Sequence, residues 1–204
     1  GHSLKKQSLH SKEDFIFSNK KECNINNFDQ TKKHILKIKP RVIINCAAYT
    51  AVDKAEDEIE LANHTNHKAV KNLAIICNIN NVILIHISTD YVFGSEPNNL
   101  PSPFKETCIT NPESIYGKSK LNGEMAIIAS DCSYLILRTS WIFSEFGNNF
   151  LKTMIKLGKK TDDIKIVSDQ IGCPTYAQDI ANTLIRIIDT IDNERKDFVQ
   201  GIFH

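Results

Sequence analysis

Tyr116 and Lys120 stand four residues apart in the run NPESIYGKSKLNGE (111–124), just behind an Asn-Pro that opens a helix. That spacing puts both side chains on one helix face. A phenol with a pKa of about 10 is a poor acid at neutral pH, and a neighbouring ammonium favours the phenolate and lowers that value. Such a pair is able to pass a proton. An aromatic and a cation at this spacing also arise as an ordinary surface pair with a buried ring, so the pair gains meaning from what stands near it. Thr89 follows the apolar run NVILIHIS (81–88) and offers a hydroxyl either to a substrate oxygen or to the next turn as a cap. In NCAAYTAVD (45–53), Ala47 and Ala48 are small enough for a flat cofactor to lie close to the backbone, and Thr50 adds a hydroxyl. Trp141, the one tryptophan, follows RTS (138–140); its ring serves there either against a sugar or base or as the border of the core.

The elements that must position these residues alternate in type. Phe15-Ile16-Phe17 has the composition of a short strand, TKKHILKIK (31–39) reads as a helix stopping before Pro40, and RVIINCAA (41–48) reads as a buried strand. Apolar residues at threes and fours predict a helix from Glu56 to about Asn80, and NVILIHIS is the next strand. A polar loop carrying Pro97, Pro101, Pro103 and Pro112 leads to a helix over about 113–130. Then come a strand over 134–140, a helix over 148–158, a short strand IKIV (164–167) and a helix over 177–192. For that last helix, Thr175 and Gln178 have the spacing of a capping box. Repeated βα units with strands apolar on both faces predict an α/β fold, a doubly wound parallel sheet with helices on both faces. Ligands of such sheets sit beyond the carboxyl ends of the strands, where Ala47 to Asp53, Ser88 to Gly94 and Thr139 to Phe143 fall.

Bulk properties exclude other classes. The 204 residues are 41% hydrophobic with a net charge of +1, so no electrostatic footprint for nucleic acid or an acidic membrane is expected. No apolar run approaches the roughly 18 residues of a membrane span. The six widely spaced cysteines include no Cys-x-x-Cys, which reads as reduced thiols in a cytoplasmic protein. His64 and His67 are three apart on a predicted helix, but no carboxylate or cysteine stands near them at ligand spacing, so no metal is expected. No Gly-x-x-Gly-x-x-Gly occurs, and GIFH (201–204) reads as the start of a strand. The chain is therefore expected to be a fragment, lacking the first strand and glycine-rich loop of a nucleotide-binding sheet and a C-terminal part.

Six blocks in order and spacing, INCAAYTAVDKAE (44–56), ISTDYVFG (87–94), NPESIYGKSKLNGE (111–124), RTSWIF (138–143), GNNFLKTM (147–154) and SDQIGCPTYAQDIA (168–181), resemble the dTDP-4-dehydrorhamnose reductase family, an extended branch of the short-chain dehydrogenase/reductases. The resemblance runs from about Phe15 to His204. It implies one NAD(P)-binding Rossmann-like domain over 1–204 with substrate-binding segments from about 138–180. It also implies NADPH- or NADH-dependent reduction of the 4-keto group of a dTDP-sugar to dTDP-L-rhamnose, and a homodimer. Thr89, Tyr116 and Lys120 match the family's catalytic positions, with Tyr116 as proton donor. Ala47, Ala48 and Thr50, with Tyr116 and Lys120, match cofactor-binding positions, and Thr89, Asp90 and Trp141 match substrate-binding ones. Asn19, Lys20 and Lys21 hint at tolerance of a 2'-phosphate. Two other readings are a non-catalytic NADP-binding regulatory subunit of methionine adenosyltransferase, and a reductase or epimerase of another nucleotide sugar. The complete Thr89, Tyr116, Lys120 set favours chemistry.

Overall fold

The computed structural model describes residues 1–94, 103–168, 170–191 and 198–204. In chain order the elements are α1 (His2–Gln7), α2 (Phe28–Ile38), β1 (Val42–Asn45), α3 (Val52–Ala55), α4 (Ile59–Asn63), α5 (Ala69–Ile79) and β2 (Ile83–Thr89). They continue as α6 (Ile115–Ile128), β3 (Tyr134–Thr139), β4 (Ile142–Phe143), α7 (Phe150–Gly158), β5 (Thr175–Tyr176), α8 (Ala177–Thr190) and β6 (Gly201–Phe203). These group into two compact units, Ser18–Arg138 with Val199–His204, and Gly1–Phe17 with Thr139–Phe198.

The larger unit is built on a four-stranded sheet in the order β1-β2-β3-β6, flanked by helices. β1 and β2 run parallel with Asn45 opposite His86, and β3 and β6 run parallel with Leu137 opposite Phe203. Strands that follow one another in chain order, linked by helices, make one wound half of a doubly wound α/β sheet. α2 starts where Asn27 accepts the Gln30 N–H at 3.0 Å, and stops at Lys39, which takes a left-handed conformation (φ 52°) before Pro40. β2 is the most buried strand: Ile83, Leu84 and Ile85 are wholly out of water, each worth about 1.5–3 kcal/mol of hydrophobic burial. Leu84 packs with Val70, Leu73, Ile127 and Ile136 in a core shared by α5, α6 and β3.

The smaller unit pairs β4 with β5 in parallel and packs α1 against α8. α7 begins where Asn149 accepts the Lys152 N–H at 3.0 Å.

Several boundaries differ from the sequence reading. Phe15 to Phe17 and residues 164–167 form no strand, for among the described residues they find no partner. A β-rich tripeptide without a neighbour to hydrogen-bond is not a strand; Phe15 and Phe17 instead stack at 6.1 Å. The single helix predicted over 56–80 is three pieces, α4 and α5 joined by a wide π-helical turn at His64–Lys68. The capping box at Thr175 and Gln178 does not form. Thr175 is committed to β5, its hydroxyl donates to the Cys173 carbonyl at 3.3 Å, and α8 starts behind Tyr176 with no side-chain cap. The C-terminal strand read at GIFH is present as β6. Pro97 and Pro101 of the predicted loop, and residue 192, lie outside the described residues.

Candidate active site

β2 ends at Thr89, and one turn of 3-10 helix, Asp90–Val92, turns the chain away from the sheet. Thr89 serves as the cap of that turn, its Oγ1 accepting the Tyr91 N–H at 3.3 Å and donating its own proton to Asp90 Oδ1 at 3.1 Å. The hydroxyl therefore both caps and remains able to accept. Tyr116 stands beside it.

Tyr116 enters on the first turn of α6, which Ser114 starts by accepting the Gly117 N–H at 3.0 Å. This helix approaches its neighbours closely: a Cβ at Gly117 would collide with the Tyr91 carbonyl oxygen, and one at Gly123 with that of Asn66. The buried stripe of α6 is accordingly polar and small, comprising Tyr116, Ser119, Lys120, Gly123 and Glu124. The Tyr116 ring meets Tyr91 edge-on at 5.5 Å and is only 8% exposed. Burial, before anything else, raises its pKa; the hydrogen bond with Thr89 acts against this, and the charges of Asp90 and Tyr91 act with it. The phenol thus keeps its proton at neutral pH, as a proton donor requires.

Lys120 sits one turn further on, 2% exposed. Its Nζ donates to the Ile87 carbonyl at 2.7 Å and stands 3.3 Å from His86 Nε2. Burial pushes its pKa down to about 8, against the opposing pull of Glu124 and Cys46. The sequence suggested an ammonium that makes the phenol more acidic. In the structure the acidifying contact on Tyr116 is the Thr89 hydrogen bond, and Lys120 is turned toward the end of β2.

Beneath α6 a second buried cluster ties the helix to β2 and β3. Glu124 takes Arg138 on both carboxylate oxygens, Nε to Oε1 at 3.1 Å and Nη2 to Oε2 at 2.7 Å, and also accepts the Ser88 hydroxyl. Arg138 lies over the Phe93 ring at 5.0 Å.

The stretch after β1 emerges from the sheet as small side chains, Ala47 and Thr50 exposed and Ala48 half-buried. Its backbone is gripped from below. Asn45 Oδ1 accepts the Ala47 N–H at 3.1 Å, while Asn66 accepts the Tyr49 N–H at 2.8 Å and donates to the Tyr49 carbonyl at 3.0 Å. Asn66 Nδ2 also reaches Ser119 Oγ at 2.9 Å, and Ser119 donates to the Tyr116 carbonyl at 2.7 Å. One side chain on the π-helical turn therefore ties the small-residue stretch to the helix of Tyr116. Sequence reasoning missed Asn45, Asn66 and His86. For Asn45 and His86 the available signal was polarity on an otherwise apolar strand, whereas Asn66 stands among polar neighbours and gave none; all three are buried.

Trp141, in the smaller unit, is 40% exposed and takes φ 44°, a conformation rare for a bulky residue and a sign of imposed strain. Its carbonyl accepts the Thr175 N–H at 3.3 Å, and its indole lies close to Gly172, where a Cβ would sit 2.5 Å from the ring.

His64 and His67 find separate partners, the Asn26 carbonyl at 3.3 Å and Asn63 Oδ1 at 3.1 Å. Among the described residues no group of three or more His, Cys, Asp or Glu is arranged to hold a metal ion. The six cysteines are free thiols. Among the described residues no helix is long and apolar enough to cross a membrane.

A helix-flanked parallel sheet with a hydroxyl at one strand end, and a Tyr/Lys pair on the helix that follows, defines a Rossmann-like α/β protein of the dinucleotide-binding class. The family described as RmlD substrate binding domain matches the chain over residues 1–204, and the chain belongs to it. The dTDP-4-dehydrorhamnose reductase of Aggregatibacter actinomycetemcomitans is 46% identical over 170 residues, covering 83% of this chain and 57% of that protein. That of Salmonella typhimurium is 42% identical over 170 residues, 83% of this chain and 55% of the relative. The chain thus spans little more than half the length of these relatives. Among solved structures, the Bacillus anthracis reductase in complex with NADP is 39% identical with a TM-score of 0.86, over 93% of this chain and 67% of that one. The Clostridium acetobutylicum reductase gives 0.89 at 39% identity, over 100% and 69%.

Proposed function

We propose that this chain carries the proton-transfer site of an NAD(P)H-dependent oxidoreductase that reduces the 4-keto group of a dTDP-4-dehydro-6-deoxy sugar to dTDP-L-rhamnose. The observation that carries the reading is the meeting of Thr89 and Tyr116: a buried phenol, protonated at neutral pH, beside a hydroxyl at the carboxyl end of a central strand. The names of the relatives support the same chemistry and the dTDP-sugar.

The exposed, small-chained stretch Ala47, Ala48 and Thr50 fits a flat dinucleotide, with Tyr116 and Lys120 on the adjoining helix to hold its ribose. A nicotinamide cofactor bound there, NADPH or NADH, supplies the hydride. The chain supplies the rest. A ketone oxygen between Thr89 and Tyr116 takes the phenol proton as negative charge develops on it, so that C4 becomes a secondary alcohol and Tyr116 is left as phenolate. Thr89 turns its one proton from Asp90 to the same oxygen, in a hydrogen bond that strengthens with that charge. Asp90, as a nearby negative charge, keeps Tyr116 protonated until substrate arrives. Trp141 offers a half-exposed ring to the sugar nucleotide.

The decisive experiment follows NADPH absorbance after the protein is mixed with the dTDP-4-keto sugar, with Tyr116→Phe alongside. Absence of oxidation by the wild type would sink the reductase reading, and full activity in the variant would remove Tyr116 as donor. The reading places the protein in the cytoplasm, where its thiols stay reduced. The homodimer implied by the resemblance is checked by sedimentation equilibrium.

A further inference from the structure

For Tyr116 to stand beside Thr89, α6 must begin at one fixed residue, because the tyrosine lies on its first turn. The N–H groups at the start of a helix have no partner within it. Those of α6 include Ile115 and Gly117, and Ser114 takes the second at 3.0 Å. The usual complement is a Glu or Gln at the third helical position, whose side chain reaches back over the helix start. In α6 that position is closed to any side chain, because a Cβ at Gly117 would sit 2.2 Å from the Tyr91 carbonyl oxygen. A helix that approaches the end of β2 this closely cannot carry its own capping carboxylate.

Another element supplies it. Glu56 Oε1 accepts the Ile115 N–H at 2.8 Å from a position 59 residues earlier in the chain. A negative group there also meets the positive end of the helix dipole. Glu56 closes α3, which follows directly on the stretch Ala47 to Ala51. Its neighbour Ala55 has no exposed surface and packs in one cluster with Ala62, Tyr116 and Ile115. Two residues beyond, Glu58 accepts the Tyr49 hydroxyl at 2.9 Å and so holds the same stretch against the start of α4.

We propose that Glu56 is a positioning residue for Tyr116: a cap supplied from outside the helix that fixes the first turn of α6, and with it the place of the phenol, to the segment proposed to carry the cofactor. Packing on Ala55 holds the ring from the side, and Glu56 sets where the helix starts. Without that acceptor the first turn frays and the phenol shifts, and a displacement of about 1 Å at a reacting group costs on the order of a hundredfold in rate. Glu56 itself is exposed, and a first turn opens without unfolding the sheet, so the same loss has little effect on global stability. That combination separates positioning from simple stabilisation.

The inference rests on the reductase reading for its kinetic arm, while its structural arm needs no substrate. Glu56→Ala removes the acceptor, and Glu56→Gln keeps an amide oxygen at the same reach. In amide hydrogen exchange followed by NMR, Ile115 is expected to exchange about tenfold faster in Glu56→Ala, with the β2 amides unchanged and the wild-type rate largely restored in Glu56→Gln. With NADPH and the dTDP-4-keto sugar, kcat is expected to fall about 10- to 100-fold in Glu56→Ala, well below its melting temperature, and to recover in Glu56→Gln. Both KM values are expected to stay within about twofold. Unchanged exchange at Ile115 in Glu56→Ala refutes the cap, and faster exchange with a wild-type kcat refutes the positioning role. A Glu56→Gln variant as slow as Glu56→Ala assigns the effect to charge and refutes it as well. If Glu56→Ala does not fold, Glu56→Asp, one methylene short of the Ile115 N–H, takes its place with the same expectations. Exchange as expected in a protein whose wild type fails to oxidise NADPH leaves the cap standing and removes the reductase reading.

Discussion

Arg138 Nη2 and Glu124 Oε2 meet at 2.7 Å with 4% and none of their side chains exposed, so that β3 and α6 are joined by an ion pair from which water is excluded. A buried pair of this kind adds little relative to well-packed apolar residues, but breaking it strands a charge. Glu124→Ala is expected to lower unfolding free energy by about 3–5 kcal/mol in urea titration. Glu124→Leu with Arg138→Met is expected to recover most of that loss. A single variant as stable as the wild type would show that the pair is not holding α6 in place.

Tyr116→Phe removes the proposed proton donor but keeps the ring against Tyr91. Turnover is expected to fall by about 10²–10⁴-fold, while stability changes by only about 1 kcal/mol, the worth of one hydrogen bond. Parallel rate and thermal-melt measurements separate the two effects.

Lys120 ties stability to pH in a predictable sense. Its value in the folded protein, about 8, lies below the ordinary 10.5, so the folded state binds this proton more weakly than the unfolded chain does. Above pH 10.5 the group costs nothing; as pH falls toward 8 stability is lost, amounting to about 3 kcal/mol in full. Lys120→Met is expected to abolish that part of the slope and to raise stability at pH 7, while abolishing activity. Denaturant titrations at pH 7 and 10 in both proteins check this.

Asn66 spends its side chain on the Tyr49 backbone and on Ser119. Asn66→Ala leaves those buried groups without partners, at about 1–3 kcal/mol. Because it frees the stretch after β1, the apparent KM for NADPH is expected to rise more than kcat falls. An effect on kcat alone would count against the link between that stretch and α6.

Gly172→Ala places a methyl 2.5 Å from the Trp141 ring, which must tilt or shift. With one tryptophan in the chain, the change is read directly as altered fluorescence. The KM for the sugar nucleotide is expected to rise with that for NADPH unchanged; identical emission and kinetics would mean that the ring is not held by this contact.

The sequence by itself determined the βα alternation, because strands buried on both faces must be continuously apolar and helices covering them must repeat at 3.6 residues. It also determined which residues stand at the strand ends, and six blocks of residues carried the family. It did not determine that Phe15 to Phe17 and residues 164–167 find no strand partner among the described residues, since a strand exists only with a neighbour that local composition cannot supply. Nor did it reveal the polar underside of the site. Along α6 the buried stripe is Ser119, Lys120 and Glu124, so hydrophobic periodicity is silent there. Asn45, His86 and Asn66 come from three separate elements, and only the register that sets Asn45 beside His86, with the wide turn at His64–Lys68, brings them under α6. That is why Tyr116 and Lys120 are readable as a pair in the sequence, while the tertiary structure alone decides their charges. Burial keeps the proton on the phenol, and burial loosens it on the lysine against the opposing pull of Glu124 and Cys46.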